Sequence, residues 1–318
     1  VVQGGMDSGD PSPLRVVFIA DTHVIGPQYE CCSESDGIDN DSIMRTPERL
    51  ASTIELINAI EPPPAHAFVL GDVMHDAHHG VDIDWYLSEE TAFSRAADLL
   101  STLNMPVHIL WGNHDYEVSC GGGVGHHSRS FTHQLFSHFF GVEPYGSVDA
   151  NGWRFILLNS QLGETWNAES VQCSTGMGSY GEEQLAWLEG QLSEGRPSIV
   201  MSHHHMIAST LSNENSGPNP DLSTVLGRHE NVEAHLSGHL HRWLDLEPTA
   251  VHPVRHMILG STRYDTDNFW VADFNSDGSF EIVDYDKPKW ATTCAETWDY
   301  RASVGPVVGA EEEGDCGT

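Results

Sequence analysis

The chain has 318 residues, 39% of them hydrophobic, so it is long enough to bury a large core as a single domain. Asp and Glu number 47 against 14 Lys and Arg, which gives a formal net charge of -33. Because nucleic acids and anionic lipid surfaces are bound through cationic side chains, this balance argues against a nucleic-acid partner. No apolar run reaches the roughly 18 residues that a membrane span needs.

Short apolar runs and amphipathic stretches alternate along the chain, which predicts βαβ units and an α/β fold. A helix is predicted to begin at Thr46, which precedes Pro47. Further helices are predicted over 88–103, 131–140 and 182–192. Strands are predicted at 15–20, 66–70, 106–110, 153–158, 197–201 and 232–236, with about three more between Arg255 and Asp286. Residues 159–179 are polar and aperiodic, which predicts a long loop of the kind that often carries function.

The two ends of the chain differ in composition from its middle. Residues 1–13 are rich in Gly, Asp, Ser and Pro, which predicts a disordered leader, and residues 291–318 form a C-terminal extension with an acidic tail. The predicted domain covers residues 14–290. No basic and apolar leader segment opens the chain, so we expect a secreted or periplasmic protein whose signal peptide has been removed, with a cytoplasmic location left open.

Six cysteines are scattered through the chain, at positions 31, 32, 120, 173, 294 and 316. No C-x-x-C spacing occurs, so neither a zinc site nor a thioredoxin-like redox pair is indicated. Up to three disulfides are possible, as expected outside the cytoplasm, but the pairing is open and a fully reduced protein is the alternative.

Five short phrases, several of which directly follow a predicted strand, supply seven potential metal ligands. They are Asp21-Thr22-His23, Gly71-Asp72, Gly112-Asn113-His114-Asp115, His203, and Gly238-His239-Leu240-His241. Strand ends are where α/β proteins place their chemistry. Each phrase alone is weak evidence, but five of them in order predict a two-metal hydrolytic site. Mixed carboxylate, imidazole and amide ligands suit Mn, Fe or Zn, whereas Ca or Mg prefers oxygen ligands.

From about Arg15 to His241, and through the following strands to about Asp286, the chain resembles the calcineurin-like metallophosphoesterase superfamily. The resemblance implies a four-layer α/β/β/α sandwich of two mixed β-sheets, with a dinuclear metal centre at their upper edge. It assigns Asp21, His23 and His241 to the first metal ion, Asn113, His203 and His239 to the second, and Asp72 to a bridging position.

The resemblance also implies a reaction, the hydrolysis of a phosphoester by direct attack of a metal-bridging hydroxide on phosphorus. His114 is predicted to donate a proton to the leaving oxygen or to stabilise the transition state, and Asp115 to orient its imidazole. His75 and His204 each lie within three residues of a predicted ligand, so they are predicted to reach the substrate or to support a ligand.

Departures from family patterns narrow the range of expected substrates. Purple acid phosphatases carry a Tyr where this chain has His75, which argues against that class. Protein Ser/Thr phosphatases carry an Arg-Gly pair in the second phrase, and this chain has none there, which argues against phosphoprotein substrates. The acidic charge argues against the DNA-repair nuclease branch. A small or soluble phosphodiester is therefore predicted, with a phosphomonoester as the alternative. A non-catalytic scaffold and a calcium-dependent module at Asp36–Asp41 are remote alternatives, because the first does not need all seven ligands and the second explains none of the strand-end phrases.

Overall fold

The computed structural model describes residues 12–30, 42–116, 118, 120, 129–175, 178–206, 221–241, 243–249 and 253–283. Four predictions therefore fall wholly or partly outside it: the leader before residue 12, the acidic loop at 36–41, the C-terminal extension at 291–318, and the pairing of the cysteines at 31, 32, 294 and 316. Among the described residues no helix is both long and apolar enough to cross a bilayer.

Two mixed β-sheets form the centre of the protein. In chain order the strands are β1 (Leu14–Ile19), β2 (His66–Leu70), β3 (Val107–Leu110), β4 (Gly146–Ala150), β5 (Trp153–Leu157), β6 (Ser198–Met201), β7 (Val232–Ser237), β8 (Leu244–Leu246), β9 (Arg255–Ile258), β10 (Phe269–Phe274) and β11 (Phe280–Ile282). The first sheet has the order β11-β10-β1-β2-β3 and the second β4-β5-β6-β7-β9-β8. The parallel pairs are β1-β2-β3, at one side of the first sheet, and β5-β6-β7-β9, in the middle of the second. Their carboxyl ends therefore share one edge.

Helices cover the outer faces of both sheets. They are α1 (Thr46–Asn58), α2 (Ile83–Ser88), α3 (Ala92–Leu100), α4 (Arg129–Phe140), α5 (Glu182–Leu192) and α6 (Leu222–Leu226), with one 3₁₀ turn at Glu164–Trp166. Alternate residues of β1 face opposite ways, as a strand requires. Val17 and Ile19 pack with α1, α3 and α4, whereas Val16 and Phe18 pack against the second sheet. The outer face of the second sheet packs on α5 and α6.

This layering confirms the predicted four-layer α/β/β/α sandwich, while several element boundaries differ from the prediction. The predicted helix 88–103 corresponds to α3 alone and is shorter, because Glu89 is extended and Thr91 starts α3 with a capping box to Ser94; α2, which precedes it, was not predicted. By contrast, α1 begins at Thr46 as predicted, and the Thr46 hydroxyl donates to the carbonyl of Ile43. Strands β4 and β8 were not predicted, since β4 alternates between half-buried and exposed residues and β8 has three residues at a sheet edge.

Candidate metal centre

All seven predicted ligands lie at the shared edge of the two sheets. Asp21 and His23 follow β1, Asp72 follows β2, Asn113 follows β3, His203 follows β6, and His239 and His241 follow β7. Backbone hydrogen bonds join these loops, since Asp21 N–H donates to the carbonyl of Gly71 at 3.2 Å and His23 N–H to that of Asp72 at 2.9 Å. The five phrases, which the sequence predicts to form one site, thus lie together at this edge.

One group of side chains lies on the β1 side of Asp72. His23 Nε2 is 3.0 Å from His241 Nε2 and 3.7 Å from Asp72 Oδ2. His241 Nε2 is in turn 3.3 Å from Asp21 Oδ1. The four side chains can each offer one ligand atom within 4.8 Å of the others. They can therefore hold one ion.

A second group lies on the β6 side of Asp72. His203 Nε2 is 3.2 Å from Asp72 Oδ2 and 3.0 Å from Asn113 Oδ1. His239 Nδ1 is 2.9 Å from the same amide oxygen. Asp72, His203 and His239 again bring ligand atoms within 4.8 Å of one another.

The chemistry of this second group fits a cation. His203 Nδ1–H donates to the carbonyl of Leu70 at 2.9 Å, so in a neutral ring Nε2 carries a lone pair. That lone pair faces the oxygens of Asp72 and Asn113, which are also acceptors. Three acceptors that face one another need a positive charge between them, which a metal ion would supply.

The backbone at the ligands is strained. Asp21, His23, Asp72, His239 and His241 all have positive φ, between 47° and 70°. Such a conformation in a residue other than glycine costs about 1–3 kcal/mol and persists where the surrounding structure enforces it. Here strands, loop hydrogen bonds and the buried carboxylate of Asp72 enforce it, and the ligand atoms converge as a result.

Two glycines allow the loops to approach each other. A Cβ at Gly112 would overlap the backbone nitrogen and the carboxylate of Asp72. A Cβ at Gly238 would lie 2.5 Å from Asp21 Oδ2. The glycines in these phrases are therefore required for packing around the two carboxylates.

Charge at the centre is concentrated on Asp72 and His203. Burial would raise the pKa of Asp72, but the charge of His203 and its hydrogen bond hold it well below its usual range. Burial opposes protonation of His203, yet the neighbouring Asp72 raises its pKa to about 9. In the metal-free protein these two groups therefore form an ion pair, and a metal ion would displace the proton of His203.

His114 lies at the mouth of the centre. Its backbone N–H donates to Asp72 Oδ1 at 2.8 Å, and its ring centroid is 4.9 Å from that of His23. Burial lowers the pKa of His114, with Asp72 acting in the opposite direction. The ring remains partly exposed, so it can contact a bound substrate.

The expected contact between Asp115 and the His114 ring is absent from the described structure. The fully buried carboxylate of Asp115 accepts from the backbone N–H of Gly112 at 2.8 Å and of Met74 at 3.0 Å. Burial and the charge of Asp72 raise its pKa to about 7. Asp115 thus ties the loop after β3 to the loop after β2, and the prediction of a catalytic role through His114 is corrected.

His75 and His204 occupy different environments. His75 is partly exposed, and its ring stacks on that of His114 with 4.6 Å between centroids. His204 is fully buried, 4.4 Å from the ring of His239, and its Nδ1 lies 2.8 Å from Ser160 Oγ. Of the two predicted roles for His204, support of a ligand agrees with this burial, and direct contact with substrate does not.

A cavity of about 330 Å³ opens beside His114. Asn113 and His114 form one side, and Tyr116, Trp166 and Thr175 are among the residues of its wall. Trp166 and Thr175 belong to the long loop that was predicted to be functional, but no pattern in the sequence singled out these two residues. The Sγ atoms of Cys120 and Cys173 are 2.14 Å apart, which joins this loop to the segment after Asp115.

Comparison with known proteins agrees with this geometry. The 3',5'-cyclic adenosine monophosphate phosphodiesterase CpdA of Escherichia coli K12 is 25% identical over 243 residues, which cover 74% of this chain and 72% of the relative. A probable cyclic nucleotide phosphodiesterase of Rhodopseudomonas palustris is 26% identical over 245 residues, which cover 72% of each chain.

A solved dimetal phosphatase from Danio rerio has the same fold, with a TM-score of 0.55 at 16% identity over 83% of this chain and 94% of that one. The family model described as calcineurin-like phosphoesterase matches residues 14–243. Since that match spans well over half of the sequence, the chain belongs to the calcineurin-like phosphoesterase family and is a metallophosphoesterase.

Proposed function

We propose that the protein uses two metal ions to hydrolyse a small or soluble phosphodiester. The observation that carries this proposal is the position of Asp72, whose Oδ2 lies 3.7 Å from His23 and 3.2 Å from His203. One carboxylate is thereby shared by two groups of ligands. In this proposal Asp21, His23 and His241 bind one ion, Asn113, His203 and His239 bind the other, and Asp72 bridges them.

Two bound ions would supply a water-derived nucleophile at neutral pH and would neutralise charge on the phosphoryl oxygens. The chain's own contribution is to hold the ligands in place before substrate arrives. Strained loop backbone fixes Asp21 and His239, and the backbone N–H of His239 donates to both oxygens of Asp21 at 3.1 Å. These bonds orient the Asp21 carboxylate.

In this proposal His114 acts on the substrate itself. Because burial lowers its pKa, the free protein holds the ring neutral at pH 7. A neutral imidazole still has one N–H, which can donate to a phosphoryl oxygen or to the leaving oxygen. Hydrogen-bond donation to the transition state is therefore the role that the geometry favours, and proton transfer to the leaving group is the alternative.

We propose a diester substrate instead of a monoester for two reasons, the names of the relatives and the size of the cavity. Two relatives are described as cyclic nucleotide phosphodiesterases, one of them with the qualifier probable. The cavity of about 330 Å³ lies within the range of small-molecule pockets, so it has room for an alcohol group beside the phosphoryl group. With the net charge of -33, a small substrate is favoured over a nucleic acid.

The ions are proposed to be Mn, Fe or Zn, because imidazole, amide and carboxylate ligands are combined. A secreted or periplasmic location is proposed as well. The pairing of Cys120 with Cys173 supports it, since disulfides persist in oxidising compartments.

Turnover of bis(p-nitrophenyl) phosphate and of p-nitrophenyl phosphate, with and without added Mn²⁺, tests the proposal. We expect both esters to be hydrolysed with the diester preferred, and chelation to abolish both activities. A preference for the monoester would favour the phosphatase alternative. No turnover of either ester, together with no bound metal by elemental analysis, would reject the proposal.

A further inference from the structure

His75 is not one of the seven proposed ligands, yet it contacts the ligand His23 and the mouth residue His114. Its Nδ1 lies 3.2 Å from His23 Nδ1. Its ring stacks on His114 at 4.6 Å and 25°, and it meets the ring of His23 edge-on at 5.3 Å. A side chain in this position can orient the ring of His23, the ring of His114, or both.

The two nitrogens of His23 face opposite directions. Nε2 points to His241 and Asp72, where the metal ion is proposed, whereas Nδ1 points to His75. A neutral imidazole carries one proton, and a metal ligand needs its lone pair on the coordinating nitrogen. If Nε2 coordinates, Nδ1 must carry the proton and needs an acceptor.

The second ligand group provides an internal comparison. There the Nδ1–H of His203 donates to the carbonyl of Leu70 at 2.9 Å, which leaves Nε2 free to face Asp72. Among the described hydrogen bonds, no backbone carbonyl accepts the Nδ1–H of His23. The atom that lies where such an acceptor would be is His75 Nδ1. Donation to it requires His75 to keep its own proton on Nε2, which has no hydrogen-bond partner in the described part of the chain and is free to face solvent.

We infer that His75 is a positioning residue: its Nδ1 accepts the Nδ1–H of His23 and so directs the Nε2 lone pair of His23 to the first metal ion. This inference rests on the proposed metal centre. It differs from a packing role, in which His75 would matter only through the ring that it stacks on His114.

Two substitutions separate these roles. His75→Asn keeps an acceptor near the position of Nδ1 and removes the ring, whereas His75→Phe keeps the ring and removes the acceptor. Binding of Mn²⁺ to chelated protein is measured from the EPR signal of the free ion. We expect His75→Phe to weaken one of two binding events by about 10- to 100-fold, the usual effect of losing a ligand's hydrogen-bond partner. His75→Asn is expected to stay within about 3-fold of the parent on the same reasoning.

The control is His79, an exposed histidine on the same loop, whose substitution by Phe or Asn should leave Mn²⁺ binding unchanged. Thermal unfolding of the chelated variants checks that each is folded. Imidazole ¹⁵N NMR adds a direct readout: the His23 ring should hold one tautomer, with the proton on Nδ1, in the parent and in His75→Asn, and both tautomers in His75→Phe.

Parent-like Mn²⁺ affinity in His75→Phe would overturn the inference and leave the proposed function standing. Equal losses in both variants would overturn it too, because the ring would then be the part that matters. Absence of Mn²⁺ binding in the parent protein would instead reject the metal centre and the inference together.

Discussion

The floor of the candidate site and the wall of its cavity are built by different means. The floor consists of short loops that directly follow parallel strands, and five of its seven ligand residues have left-handed backbone. The wall comes from the segments after β2 and β3 and from the long loop after β5, which contributes Trp166 and Thr175. That loop is held at its start by Gln184, whose amide pairs with both backbone groups of Asn159, and later by the Cys120–Cys173 bond.

The difference assigns separate tasks to the two regions. The floor sets the chemistry, because any change there alters the ligand atoms. The wall shapes the space for the alcohol part of the substrate, and the part of it that the long loop contributes is fixed by a few cross-links instead of by strands. Loss of the floor should therefore abolish catalysis, whereas loss of a wall contact should mainly alter substrate binding and stability.

The largest effect is expected at the centre of the floor. Asp72→Asn should lower kcat/KM for bis(p-nitrophenyl) phosphate by more than about 10⁴-fold, since it weakens both ion sites and each ion contributes several kcal/mol. Elemental analysis should show loss of metal. Asp98→Asn, at an exposed position on α3, is the matched control and should behave as the parent. Retention of both metal ions and of activity in Asp72→Asn would show that Asp72 is not the bridge.

A smaller loss is expected at the boundary between floor and wall. His114→Ala should lower kcat by about 10²- to 10³-fold while the metal content stays unchanged. His138→Ala, on the exposed side of α4, is the control. If His114 protonates the leaving oxygen, the loss should grow as the leaving alcohol becomes less acidic. A constant loss across such esters would favour transition-state stabilisation instead.

Removing the Cys120–Cys173 disulfide tests the role of the wall. Replacing Cys120 and Cys173 by Ser should lower the free energy of unfolding by about 2–4 kcal/mol, as expected for a bond that closes a loop of this length. KM should rise more than kcat falls, because the ligands on the floor are untouched. An unchanged KM with a reduced kcat would mean that the wall also orients the reacting groups.

The smallest effect concerns Asp115, which joins two loops of the floor. Its folded-state pKa, raised to about 7, lies above the unfolded value, so the folded protein holds a proton that the unfolded chain releases. Stability of the metal-free protein should therefore fall as pH rises from about 4 to about 7. Asp115→Asn should remove this dependence, so the difference between variant and parent should shift by roughly 1–3 kcal/mol between pH 5 and pH 8. A parallel pH dependence in both proteins would place the pKa of Asp115 near its usual value.

The floor and the wall also differ in how much of each could be predicted from the sequence. The ligands were predictable because each phrase stands at or near the end of a strand, and several follow buried apolar runs such as Val16–Ile19. Their convergence follows from parallel strands sharing an edge. The role of Asp115 was not predictable, because its partners are backbone N–H groups brought together by the fold. Trp166 lies in an aperiodic loop whose path depends on a cysteine pairing that the sequence leaves open.

The central claim is that Asp72 joins two ion sites into one catalytic centre. The most direct test is a titration of chelated protein with Mn²⁺ while turnover of bis(p-nitrophenyl) phosphate is followed. We predict that activity reaches its maximum when two ions are bound per chain and that Asp72→Asn shows no such rise. Full activity with one ion per chain, or turnover in Asp72→Asn that equals the parent, would contradict the claim.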